Sequence, residues 1–188
     1  QDLLQLFSAP TDYEKGRGVR VLDIKFQNFK NLNTIGGHEF GDEALAETAL
    51  AIQSALQKEL AGTGVEVKGV YTAGPSYKAV ILNDQAASSQ STKIVETALN
   101  KIFVDEKTQF RTDTVNNIKK NSGLAAAIKD KFTAKDFNFY VGVSEQVVVA
   151  PTEQTEAVKS ANRIDQQASE FAKYTQLTFR GQDFIKAT

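Results

Sequence analysis

The chain has a single histidine, His38, which follows Gly36 and Gly37 and precedes Glu39. An imidazole beside a carboxylate in a glycine-bearing loop is a pairing that a general base could use. No second His, no Cys and no recognisable nucleophile motif accompanies it, so the segment reads as a loop with no catalytic residue assigned. Glu39, Asp42, Glu43 and Glu47 follow closely and offer the oxygen ligands that hard cations prefer. Their spacing is not that of a calcium-binding loop, and acids at a helix start favour its positive end. They read as a solvated helix start, and no metal site is assigned. Asp23 stands between Leu22 and Ile24 in an otherwise apolar run. It is either a catalytic carboxylate at a strand end or, the preferred reading, a solvent-facing acid beside Lys25 on a sheet edge.

Other familiar signatures are missing. Gly16-Arg17-Gly18 and Gly62-Thr63-Gly64 contain paired glycines, but neither extends into a dinucleotide-binding or phosphate-cradling loop. They read as turns. Residues 101–135 carry eight Lys or Arg against four acids. Phosphate contact is conceivable there, but Phe103, Phe110 and Phe132 fall on apolar stripes and build no stacking platform. A solvated helical face is the simpler reading, and a nucleic-acid partner is not expected. No cofactor is indicated.

Composition narrows the field further. The 188 residues contain no Cys, Met or Trp, with 41% hydrophobic and 24% charged residues and a formal net charge of -1. Thiolate chemistry, disulfides and Cys-ligated metals are excluded. A whole-chain basic footprint is absent as well. No apolar run reaches the ~18 residues of a membrane span. Met is not normally trimmed before a residue as large as Gln, so Gln1 reads as a processed or trimmed start.

The elements that must carry these residues follow from periodicity. Residues 1–10 form a short apolar arm ending at Pro10, docked on the same domain or on a neighbouring subunit. Val19–Phe29 reads as a first strand. Its apolar face switches near Val21–Leu22, which implies a bulge or burial on both sides. Residues 30–41 read as an Asn- and Gly-rich loop. Leu45, Ala49, Ile52, Leu56 and Leu60 mark a helix over 42–61, with Asp42 as N-cap and Gly62 past its end. Residues 65–82 read as a hairpin, and 83–91 as a polar loop. A helix with a Thr92–Glu96 capping box follows, and then a helical stretch capped by Asp113 and continued over Leu124–Phe132. Phe137–Val143 is a strand, and Val147–Ala150 a short second one. Thr152–Tyr174 is a long helix whose stripe of Ala157, Ala161, Ile164, Ala168 and Phe171 implies close approach to a neighbour. Leu177–Phe179 and Phe184–Ile185 read as a terminal hairpin or paired edges. The whole is an α/β or α+β layer fold, a mixed sheet of about five or six strands with four or five helices. The arm (1–10) precedes a single domain (11–188).

The run VRVLDIKFQNFKN, a glycine-containing loop and an amphipathic helix ending near VEV resembles the opening β-loop-α-β unit of envelope domains related to the TolB N-terminal domain. That resemblance implies a periplasmic or envelope binding domain. The absence of catalytic motifs favours instead a non-enzymatic assembly subunit of a virion, appendage or envelope complex, acting through copies of itself or other subunits. Its expected contacts are Leu3, Leu4, Leu6, Phe7, Leu32, Ile35 and Phe40, with the 83–91 loop. The expected location is a virion or an extracytoplasmic compartment. A hydrolase-like enzyme using carboxylates is the third alternative.

Overall fold

A computed structural model describes residues 3–26, 29–73, 76–104, 110–121, 139–150, 152–178 and 185–187. Residues 18–26 are mostly apolar, interrupted by Arg20, Asp23 and Lys25, and they form strand β1 (Gly18–Phe26). Nearly every residue of β1 is buried, because it lies inside the sheet with helices on both faces. The change of apolar face near Val21 therefore reflects burial on both sides rather than a bulge, and β1 keeps a continuous register with β3 and β4. The sheet has six strands in the order β2-β3-β1-β4-β6, with β5 also paired to β1. Strands β2 (Val65–Ala73), β3 (Ser76–Asn83) and β4 (Phe139–Val143) join by antiparallel pairing, and β6 (Ile185–Ala187) runs parallel to β4. Strand β5 (Val147–Val148) is short. The expected hairpin over 65–82 is present. The fold is α+β, within the expected class.

The expected loop over 30–41 is helical. Helix α2 spans Phe29–Leu60 and carries a kink at Gly37, whose φ is 82° and ψ 176°. Only glycine adopts that conformation without cost, so the residue read as a loop marker bends a helix instead. A side chain at Gly36 would strike the Phe40 ring at 2.6 Å, and Phe40 is buried. Asp42 consequently sits inside the helix, exposed, and not at an N-cap. The predicted stripe points inward as expected: Ile52, Leu56 and Leu60 are buried, while Leu45 and Ala49 pack at the core margin. Gly62 and Gly64, at φ 75° and 80°, turn the chain into β2. Strands β1 and β2 run parallel with β3 between them, so β1-α2-β2 is a split crossover.

Helix α3 (Ser91–Leu99), preceded by a 3-10 turn over Gln85–Gln90, starts without a side-chain cap, so the Thr92–Glu96 box is not used. A short π turn, Asn100–Val104, follows. Helix α4 (Phe110–Asn121) contains Asp113 in its first turn rather than as its cap. These helices and α2 cover one face of the sheet around Phe26, Phe103, Phe110 and Phe139, whose rings stack in tilted and edge contacts. The expected helix over Leu124–Phe132 lies outside the described residues.

The opposite face is covered by α1 (Leu3–Ser8) and by α5 (Gln154–Thr178). Ala157, Ala161, Ile164, Ala168 and Ala172 of α5 are buried, so the small-residue stripe does bring a helix close to the sheet. Its final member is Ala172, with Phe171 only half-buried. The approach is tight at Gly142 of β4, where an added Cβ would lie 2.0 Å from the Ala168 carbonyl oxygen. Helix α5 also absorbs residues 177–178, so they form no terminal hairpin, and β6 instead adds to β4. Leu3, Leu6, Phe7 and Phe40 are buried within this chain, and Leu4 packs against the same core. Leu32 and Ile35 lie in α2, their side chains outside those described. No helix of the described residues is long and apolar enough to cross a membrane.

Candidate functional site

Strand pleating sends alternate residues to opposite faces. Val19, Val21 and Asp23 of β1 face α5, as do Lys78, Val80 and Leu82 of β3. Toward one end of this face the apolar residues give way to charge. Asp23 and Lys78 are directly opposite across the β1–β3 ladder, and Asp23 is also opposite Gly142. Asp23 is fully buried, and neither carboxylate oxygen has a hydrogen-bond partner. Two ammonium groups compensate it: Lys78 Nζ at 3.5 Å and Lys25 Nζ at 3.7 Å. Lys78, itself buried, also reaches α5. Its Nζ donates to Ser169 Oγ at 2.7 Å and pairs with Asp165 Oδ1 at 3.1 Å. A buried carboxylate without such partners would be strongly destabilising. Asp23 therefore does not stand on a solvent-facing edge beside Lys25. It lies within the sheet, at the centre of a charged cluster closed over by α5.

The other residues singled out by type do not join this cluster. His38, Glu39, Asp42 and Glu43 are exposed on α2. Among the described residues, no group of three or more His, Cys, Asp or Glu could hold a metal ion. The basic stretch is only partly described: Lys101 pairs with Glu59 at 3.8 Å, and Lys119 and Lys120 occupy the last turn of α4.

Three further polar arrangements had no sequence motif. Glu14, buried in the loop before β1, accepts hydrogen bonds from the Lys68 ammonium and from the Thr11 amide. Burial pushes its carboxyl upward, but these bonds outweigh that and hold it below the usual carboxylate value. At the same end of the sheet, a cleft of about 360 Å³ is lined by Tyr13, Arg17, Leu60, Val65, Glu66 and Asp84 among others. Arg17 bridges Glu66 and Asp84 at 3.0 Å each and lies 4.5 Å from the centre of the Tyr13 ring. On the α3 side, burial lowers the affinity of Arg20 for its proton, while its guanidinium donates to Ser91 Oγ and the Ser144 carbonyl.

One signal for the charged cluster is present in the sequence. Asp23 is the one acid of β1 and Lys78 the one charge of β3, two strands of opposite direction, and a buried charge needs a counter-charge. Asp165 and Ser169 could not be foreseen in this role, because their four-residue spacing on α5 means nothing until α5 is placed.

The family model described as diguanylate cyclase, GGDEF domain, matches residues 3–65, a third of the chain. That stretch runs from α1 through β1 and α2 to the first residue of β2. Among solved structures, the chain is similar to the diguanylate cyclase SiaD of Pseudomonas aeruginosa, crystallised in complex with its activator SiaC. The TM-score is 0.51 at 18% identity, covering 98% of this chain and 55% of SiaD. The chain thus spans little more than half of that protein, and the likeness shows a shared fold. A sensory box/GGDEF family protein from Caulobacter crescentus is also similar, at a TM-score of 0.48 and 20% identity, covering 92% of this chain and 90% of that one. No curated protein matches the chain significantly.

These findings correct the functional expectation. The family match is to a diguanylate cyclase domain, and it overturns the reading as a virion, appendage or envelope assembly subunit or a TolB-like domain. The expectation that the chain is no enzyme falls with it. That expectation rests on missing nucleophile and nucleotide-loop motifs, and the family match stands without them. Residues 36–40 read Gly-Gly-His-Glu-Phe, one letter from the string that names the family. In this fold that likeness of letters marks the α2 kink: Phe40 is core, and His38 and Glu39 are exposed.

Proposed function

We propose that the chain is a signalling domain of the diguanylate-cyclase kind, whose ligand is a guanine nucleotide: GTP or cyclic diguanylate. The observation that carries this reading is the family match across α1, β1 and α2, a contiguous unit that includes the central strand and the helix packed on it. The SiaD fold similarity over nearly the whole chain supports it. A protein partner belongs to the reading, because SiaD was solved with an activator bound.

Phosphoryl transfer between nucleotides commonly uses divalent cations held by carboxylates. The described residues do not fit such an ion. Asp23, the buried carboxylate of the sheet, already has Lys25 and Lys78 beside it. Glu14, the other buried carboxylate of the matched stretch, is held by Lys68.

Thermal unfolding with added nucleotide tests the reading. A ligand that binds only the folded chain stabilises it by RT ln(1 + [L]/Kd), about 2.7 kcal/mol at a hundredfold excess over Kd. GTP or cyclic diguanylate should raise the transition by several degrees, and ATP should not. Equal responses to all three, or none, would overturn the proposal.

A further inference from the structure

Three oxygen donors from two different elements converge on one point between α5 and the sheet. Asp165 Oδ1 and Ser169 Oγ come from successive turns of α5, and Asp23 Oδ2 comes from β1. Two carboxylates and a hydroxyl form a donor set suited to a hard divalent cation. What stands at that point is the ammonium of Lys78, at 3.1, 2.7 and 3.5 Å from those atoms. The two shorter distances suit N–H···O contacts and the third an ion pair, and all are longer than metal–oxygen bonds, which run at about 2.0–2.6 Å. Lys25 contributes a second positive charge 3.7 Å from Asp23. The two lysines together supply the two charges of a divalent ion and neutralise the two acids.

We infer that Lys78 is a built-in substitute for a metal ion, and that its removal turns this cluster into a divalent-cation site. The inference is independent of the nucleotide reading, since it concerns only the charges between α5 and the sheet. Asp23 cannot be left buried with only the more distant Lys25 without cost. With Lys78 gone, the volume of its butylammonium chain opens between Asp23, Asp165 and Ser169. Asp165 is 46% exposed, which gives an ion in solution a path inward. The close approach at Gly142 fixes α5 against the sheet, so the donors remain gathered when the lysine is absent.

The test compares the full chain with Lys78→Ala and with the double variant Lys78→Ala/Asp165→Asn. Each is melted in EDTA and in millimolar Ca²⁺ or Mn²⁺, and Mn²⁺ binding is counted by electron paramagnetic resonance. The wild-type transition should be the same in EDTA and in either metal. Lys78→Ala should melt lower in EDTA, regain at least half the loss with metal, and bind one Mn²⁺ per chain. The double variant should lose that recovery. A wild-type chain that gains stability from Ca²⁺ or Mn²⁺ through Asp165 would overturn the inference. So would a folded Lys78→Ala that ignores both ions. If Lys78→Ala does not fold in either buffer, Lys78→Gln is read by the same criteria.

Discussion

Replacing Gly142 by alanine should separate α5 from the sheet. The added methyl would lie 2.0 Å from the Ala168 carbonyl oxygen and 2.3 Å from the Ala172 nitrogen. A close carbon–oxygen contact needs about 3.3 Å, so the helix must retreat by roughly 1.3 Å. Both obstructing atoms belong to helix backbone, and no rotamer change relieves them. A gap of 0.5–1 Å already forfeits about a quarter to a half of each dispersion contact, and Ala161, Ile164, Ala168 and Ala172 all make such contacts with the sheet side. Overpacking a core costs about 1–3 kcal/mol, and a backbone obstruction places this variant near 3 kcal/mol. For a chain of this length that corresponds to a fall in Tm of about 6–12 °C. Urea and thermal unfolding measure it. Gly69→Ala is the control: it lies in the same sheet, and its added Cβ meets nothing within 4 Å. The reasoning fails if Gly142→Ala unfolds within about 1 kcal/mol of wild type, or no differently from Gly69→Ala.

Two further outcomes follow from buried groups. Glu14 is held below its usual carboxylate value, chiefly against burial, by Lys68 and Thr11. Its contribution is therefore present above the unfolded carboxylate range and is lost as pH falls through the folded value. Glu14→Gln should cost about 1–3 kcal/mol at pH 7, and the difference from wild type should shrink in acid urea titrations. Tyr77 is fully buried, and burial raises its phenol well above the ordinary tyrosine value. Its contribution is present at neutral pH and is lost as pH rises past the unfolded tyrosine value of about 10. Ultraviolet titration should show one tyrosine that ionises only as the chain unfolds, and Tyr77→Phe should abolish that late component.

Much of the architecture was legible because periodicity reports burial. The hairpin over 65–82 and the alanine stripe of α5 were placed by spacing alone. Residues 30–41 read as a loop because two adjacent glycines signal a break. Here Gly37 supplies a positive φ inside a helix, and Gly36 makes room for Phe40. Asp23 reads as solvent-facing from its neighbours in sequence, whereas its exposure depends on which strands flank β1, a long-range fact. Once β3 and β4 pair with it and α5 covers it, the same acid becomes the centre of a charged cluster. The nucleotide reading was not legible at all. The charged cluster gathers residues from β1, β3 and α5 and has no local spacing, and the family match extends over residues 3–65.

Calorimetric titration of the chain with GTP, cyclic diguanylate and ATP at physiological salt is the most direct test of the nucleotide assignment. Saturable heats for a guanylate, with Kd below about 100 μM (roughly −5.5 kcal/mol), and none for ATP are predicted. Flat titrations with both guanylates, from protein shown to be folded, would contradict it.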